Sequence, residues 1–123
     1  MSSGLEQLLA NLPSDLKSAR VGLCCNPTAV DRSLVHATES LRKAGVSLVR
    51  LFGPEHGVNA TAQDMISVVD EGPEVVSLYG DDKASLHPSP ESLADLDVLL
   101  FDIQDIGSRY YTYQATLGYM MAV

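Results

Sequence analysis

Apolar positions recur along this chain in two alternating styles. Leu5, Leu8, Leu9 and Leu12 fall at helical spacing, and Pro13 closes that segment. Arg20 then leads into a short continuous apolar run to Cys25 with Gly22 inside it, the pattern of a buried strand, and Asn26-Pro27-Thr28 breaks it. Leu34, Ala37, Leu41 and Ala44 make a second helical stripe, with Asp31 or Ser33 able to cap its start and Gly45 where a C′ glycine belongs. Val46 to Phe52 reads as the next strand, stopped by Gly53-Pro54. Val58 to Pro73 is irregular and acidic, and reads as a long loop of the kind that is often functional. Val75 to Tyr79 is a short strand, and Asp81 to Pro90 a polar connection. Ser89-Pro90-Glu91 starts a helix with a cap, an N1 proline and an acid in the first turn. Asp97 to Ile103 is a strand. Thr112 to Val123 is a helix, with Tyr113, Thr116, Leu117, Met120 and Met121 on or near one face.

Helices and strands that alternate in this order predict an α/β fold with a mostly parallel sheet. Right-handed crossovers then place every strand end on one rim. That rim gathers Asn26 to Thr28, Gly53 to Gly57, Tyr79-Gly80 and Asp102 to Arg109. Ligands of open parallel sheets bind just beyond such carboxyl ends.

Composition narrows the picture. The 123 residues suit one domain, residues 1–123, which can bury roughly two thirds of its unfolded surface. A net charge of −8 argues against nucleic acid or an anionic membrane as a partner, while an anionic ligand stays possible where a few cations are focused. No apolar run is long enough for a membrane span, and the start lacks the basic and apolar regions of a signal peptide. A cytoplasmic protein is the expectation. Cys24 and Cys25 are adjacent in a strand and point to opposite faces, so they read as buried structural thiols in a reducing compartment. The chain stops inside an apolar helix with no cap after Val123, which reads as the pattern of a fragment.

The rim carries the chemistry. Glu55-His56 lies between Pro54 and Gly57, a stiff and tight turn. A glutamate there can act as general acid or base if burial raises its pKa, with the histidine orienting it or shuttling a proton; the plain alternative is a polar turn after a strand. Asp102 and Asp105 are three positions apart across a strand end, and each can be structural or face a cleft. Paired carboxylates are what glycoside hydrolysis needs. Arg109 has the planar fork to clamp a carboxylate, or it pairs with Asp102 or Asp105. Of Tyr110, Tyr111 and Tyr113, one or two suit the core, and an exposed one can stack on a sugar. Asn26-Pro27-Thr28 can reach a ligand or serve as a plain turn. His36, on the second helix, and His87 read as surface residues. His56, Asp102 and Asp105 have no metal-binding spacing around them, and no glycine-rich nucleotide motif occurs, so neither metal nor cofactor is expected.

Four blocks in order resemble the exo-β-N-acetylmuramidase family, formerly a domain of unknown function. They are Arg20-Val21-Gly22-Leu23 with Asn26-Pro27-Thr28-Ala29-Val30-Asp31, Leu51-Phe52-Gly53-Pro54-Glu55-His56-Gly57, Ser77-Leu78-Tyr79-Gly80, and Phe101 through Tyr113. The resemblance covers nearly the whole chain. It implies a Rossmann-like, three-layer N-terminal domain, a C-terminal domain that completes the cleft, and release of terminal N-acetylmuramic acid from non-reducing ends of peptidoglycan fragments. It makes Glu55 the leading catalytic candidate and places His56, Asp102, Gln104, Asp105 and Arg109 on motif positions lining the cleft. Asn26, Thr28, Gln104, Arg109, Tyr111 and Tyr113 are the substrate-binding candidates, and His56, Asp102 and Asp105 join Glu55 as catalytic ones. The lactyl carboxylate of a muramic sugar gives Arg109 an anion to bind. The resembling proteins are longer, and the glutamate common near the end of their tyrosine helix is replaced here by Met120-Met121-Ala122-Val123. A non-catalytic sugar- or anion-binding module, or an inactive truncated product, are the alternative readings.

Overall fold

The computed structural model describes residues 1–54, 72–78, 83–108 and 112–123. Helix α1 (Gly4–Ala10) begins with a capping box: Ser3 Oγ accepts from the Glu6 amide, and the Glu6 carboxylate accepts from the Ser3 amide. A short helix α2 (Ser14–Ser18) follows Pro13, and the apolar periodicity gave no sign of it. Its five residues hold a single core side chain, Leu16, which is too little to make a period.

Strands β1 (Arg20–Cys25), β2 (Ser47–Pro54), β3 (Glu74–Leu78) and β4 (Val98–Asp102) form an all-parallel sheet in the order β3-β2-β1-β4. The chain steps outward from β1 to β2 to β3, then returns to the far side of β1 for β4. The order therefore reverses between β1 and β4. In a doubly wound sheet that reversal opens a crevice at the carboxyl ends of the two strands.

Side-chain alternation along the strands feeds two cores. Val21, Leu23, Cys25 and Leu51 pack with Leu5, Leu16, Ala37 and Leu41, under α1, α2 and helix α3 (Ala37–Lys43). Cys24, Phe52 and Leu78 pack on the other face with Met120 of helix α5 (Tyr113–Ala122), next to Leu93 of the short helix α4 (Pro90–Leu93). Helices on both faces of a parallel sheet make the three-layer α/β arrangement that the pattern predicts. Each fully buried Leu or Phe contributes roughly 1.5–3 kcal/mol. The two cysteines are both buried and belong to different cores, as their adjacency requires.

Two ion-pair systems hold the sheet away from the rim. Arg20 opens β1 and makes a forked pair with Asp97, with Nε to Oδ2 at 3.1 Å and Nη2 to Oδ1 at 3.0 Å; the Arg20 amide also donates to Oδ2 at 2.8 Å. These bonds hold the Asp97 carboxyl down at about 2. Arg50 donates to Glu74 at 2.9 Å and to Asp95 at 2.5 Å, tying β2 to β3 and to the segment after α4.

Two expectations about helices are corrected. The second stripe does not begin at Asp31 or Ser33. Asp31 Oδ1 instead accepts from the Ser33 and Val35 amides at 2.8 and 3.0 Å and holds a turn. Leu34 sits at the tip of that turn with φ 61° and 80% exposure, so it is not part of the helical stripe. Helix α3 starts after His36, and Gly45 follows it at φ 89°, as a C′ glycine does. On α5 the buried positions are Thr116 and Met120, while Leu117 and Met121 are exposed. The expected long loop at Val58 to Pro73 lies outside the described residues except for its last two.

Candidate active site at the sheet rim

The carboxyl ends of β1, β2 and β4 bring three of the predicted clusters to one rim. Cys25 is in register with Asp102, so Asn26 leaves β1 beside the point where Ile103 leaves β4. Cys24 is in register with Phe52, and Pro54 closes β2 on the same side. Glu55 and His56 follow Pro54 in sequence but lie outside the described residues, as do Arg109 and Tyr111.

The turn after β1 is fixed by its own polar atoms. Asn26 Oδ1 accepts from the Thr28 amide at 3.1 Å and from Thr28 Oγ1 at 2.7 Å. The Asn26 carbonyl accepts from the Ala29 amide at 3.1 Å. Pro27 has no amide to satisfy and sets its own φ. Thr28 stays exposed on the rim.

Asp102 ends β4 at half burial. It shares the strand face of Val98 and Leu100, which pack toward α1 and α3. A cavity of about 200 Å³ lies there, lined by Leu5, Leu8, Leu23, Leu41, Leu100 and Asp102 among others. Burial pushes the Asp102 carboxyl up from its ordinary value. The neighbouring Cys25 thiol is pushed up to about 12, first by burial and then by the Asp102 charge. Burial also raises the Cys24 thiol. Neither sulfur is a nucleophile in that state.

Asp105 differs. It is exposed, and its Oδ1 accepts from the Gly107 amide at 2.6 Å, with Gly107 at φ 72°. This is a local turn cap, the structural alternative weighed for it from the sequence. Gln104 is exposed between the two aspartates, and Tyr113 is half-buried at the first position of α5. The two aspartates are thus in unlike settings: one carboxyl is half-buried and raised by that burial, and one is tied to a solvent-facing turn.

The histidine expected at the surface is the residue that the sequence reading missed. His36 is 6% exposed and caps α3. Its Nδ1 faces Thr38 Oγ1 at 2.9 Å and accepts from the Thr38 amide at 3.3 Å, while Nε2 faces the Asn26 carbonyl at 3.0 Å. The signal was present in His36-Ala37-Thr38-Glu39, a capping position with a glutamate three residues on. His87 is exposed as expected and packs against Tyr119, with ring centroids 4.0 Å apart and the planes tilted by 44°.

Comparison with known proteins adds to this geometry. The family described as "Exo-beta-N-acetylmuramidase NamZ, N-terminal" matches residues 21–123. The peptidoglycan beta-N-acetylmuramidase NamZ of Bacillus subtilis (strain 168) is 42% identical over 98% of this chain. Two crystal structures of DUF1343 family proteins from Bacteroides fragilis NCTC 9343 share the fold over 98% of the chain. One has a TM-score of 0.80 at 43% identity, the other 0.75 at 31%. The chain spans 30% of the length of each of these three relatives. By the extent of the match and the identity within it, the chain belongs to the family of NamZ exo-β-N-acetylmuramidase N-terminal domains.

Proposed function

We propose that this chain is the N-terminal part of a glycoside hydrolase that releases terminal N-acetylmuramic acid from the non-reducing ends of peptidoglycan fragments, in cell-wall turnover and recycling. The observation that carries the reading is the 42% identity to a peptidoglycan β-N-acetylmuramidase over 98% of the chain. The rim supports it, because the matched blocks converge where β1, β2 and β4 end.

Hydrolysis of a glycosidic bond requires one carboxylic acid to protonate the leaving oxygen and a second carboxylate to act as nucleophile or base. Glu55, which follows Pro54 in sequence, takes the leading role. Asp102, half-buried at the end of β4, is the candidate for the second carboxyl group, and burial raises it from its ordinary value. Asp105 is held by its own turn and is the weaker candidate. His56 orients or shuttles a proton at Glu55. Asn26, Thr28, Gln104, Tyr111 and Tyr113 bind sugar hydroxyls and the acetamido group. Arg109 binds the lactyl carboxylate as a bidentate anion clamp. A C-terminal domain, in the part of the relatives' length beyond the 30% that this chain spans, supplies the other wall of the cleft.

The test is a released-sugar assay on a disaccharide of N-acetylmuramic acid and N-acetylglucosamine, with the full-length protein. Free N-acetylmuramic acid is expected, and the same disaccharide capped by N-acetylglucosamine at its non-reducing end is expected to stay intact. In Arg109→Ala that preference is expected to collapse. An unchanged preference removes Arg109 from recognition.

A further inference from the structure

We infer that His36 is a positioning residue that sets the Asn26-Pro27-Thr28 turn for sugar binding; the inference rests on the reading above. Three observations carry it. The imidazole is buried, yet both ring nitrogens face polar partners. Nδ1 accepts from the Thr38 amide, which leaves the proton on Nε2. That N–H then donates to the Asn26 carbonyl at 3.0 Å, ten residues back in the chain and on the rim itself.

The ring therefore joins the start of α3 to the end of β1. Asn26 is held twice. Its carbonyl takes the His36 proton and the Ala29 amide, while its side chain takes both polar hydrogens of Thr28. With its conformation fixed from below, the turn presents the Thr28 hydroxyl oxygen and the Asn26 amide group to the rim at a set angle. Rigid supporting hydrogen bonds of this kind lower the ordering cost of binding a polar ligand. Capping of α3 alone would use only Nδ1. A serine or asparagine would meet that need without reaching Asn26.

The two roles separate by substitution. In His36→Asn the side-chain oxygen takes the place of Nδ1 and keeps the cap, but the chain is too short to reach Asn26. In His36→Gln the amide nitrogen takes the place of Nε2 and restores a donor to that carbonyl. The probe is N-acetylmuramic acid, titrated by calorimetry into full-length wild type and both variants, with far-UV circular dichroism and thermal melts as the check on folding. His36→Asn is expected to stay folded and to bind about tenfold more weakly, the effect of a lost bond to a part-buried carbonyl. His36→Gln is expected to return to within about threefold of wild type. Equal binding by wild type and a folded His36→Asn overturns the inference, as does a His36→Gln that binds no better than His36→Asn. If both variants unfold, amide spectra of wild type with the sugar decide: shifts at Thr28 and Ala29 support the inference, and their absence overturns it. Wild type that binds the sugar without cleaving the disaccharide refutes the hydrolase reading and leaves the positioning role standing. Full cleavage with an unaffected His36→Asn does the reverse.

Discussion

Gly22→Ala is the most quantitative probe of the sheet that carries this site. Gly22 lies in the central strand β1, in register with Arg50 and Leu99, where the pairing with β2 shifts by one residue. A Cβ placed there meets Leu96 Cδ1 at 2.6 Å, and Leu99 Cδ1 and Phe52 Cε2 at 3.2 Å each. Ordinary carbon contacts begin near 3.5 Å, so the Leu96 methyl must retreat by about 1 Å. Adding a methyl to a packed core costs about 1–3 kcal/mol. The smaller entropy of an unfolded chain with alanine returns about 0.4–1 kcal/mol. A net loss of about 1–2 kcal/mol follows, a fall in Tm on the order of 3–8 °C for a domain of this size. Urea unfolding with an unchanged m-value measures it. Because the tightest contact is with one side chain, Leu96→Ala in the same molecule relieves it. The double variant is then more stable than the sum of the single effects predicts by about 1 kcal/mol. A stabilised Gly22→Ala, or strictly additive single effects, refutes the packing argument.

Three further outcomes follow from the charges and thiols. Asp97 is held at about 2 by Arg20, below its unfolded value, so its contribution is present above that value and fades as pH falls toward 2. The urea midpoint of Asp97→Asn should therefore lie below wild type at pH 6 and converge with it in strong acid. Asp102 has the opposite sign: its carboxyl is raised by burial, so the folded state loses stability as pH climbs through the raised value. Asp102→Asn should melt higher than wild type at pH 7, with the gap closing below the ordinary carboxylate range; a variant that melts lower at pH 7 contradicts this. Cys24 and Cys25 should resist a thiol reagent at pH 8 in the folded protein and react fully in denaturant, because burial keeps both protonated.

The apolar runs revealed the sheet because a parallel strand buried on both faces has little room for polar residues. All four strands follow within a residue or two of the runs that predict them, and Ser89-Pro90-Glu91 opens α4, with the Ser92 amide donating to Ser89 Oγ. The start of α3 was less legible. Asp31 is a good cap by type, but its carboxylate satisfies two amides of the preceding turn, and that choice depends on the path of the whole segment. His36 was hidden for a related reason. The local pattern His36-Ala37-Thr38-Glu39 signals the cap but not the bridge, since Asn26 meets the ring only in the folded chain. The aspartates separated only in three dimensions, when strand alternation turned Asp102 toward the core and a glycine turn captured Asp105. Glu55, His56, Arg109 and Tyr111 are placed by sequence motif alone.

On the proposed reading, Glu55 of the Pro54-Glu55-His56-Gly57 motif supplies the catalytic carboxylate of a muramic-acid-releasing hydrolase. The direct measurement is the rate of N-acetylmuramic acid release from the disaccharide by full-length wild type and Glu55→Gln, at equal folded concentration. A fall in kcat of at least about a hundredfold, with sugar binding retained, is the predicted result for loss of an acid or base catalyst. Equal rates in the two proteins would contradict it and remove Glu55 from the mechanism.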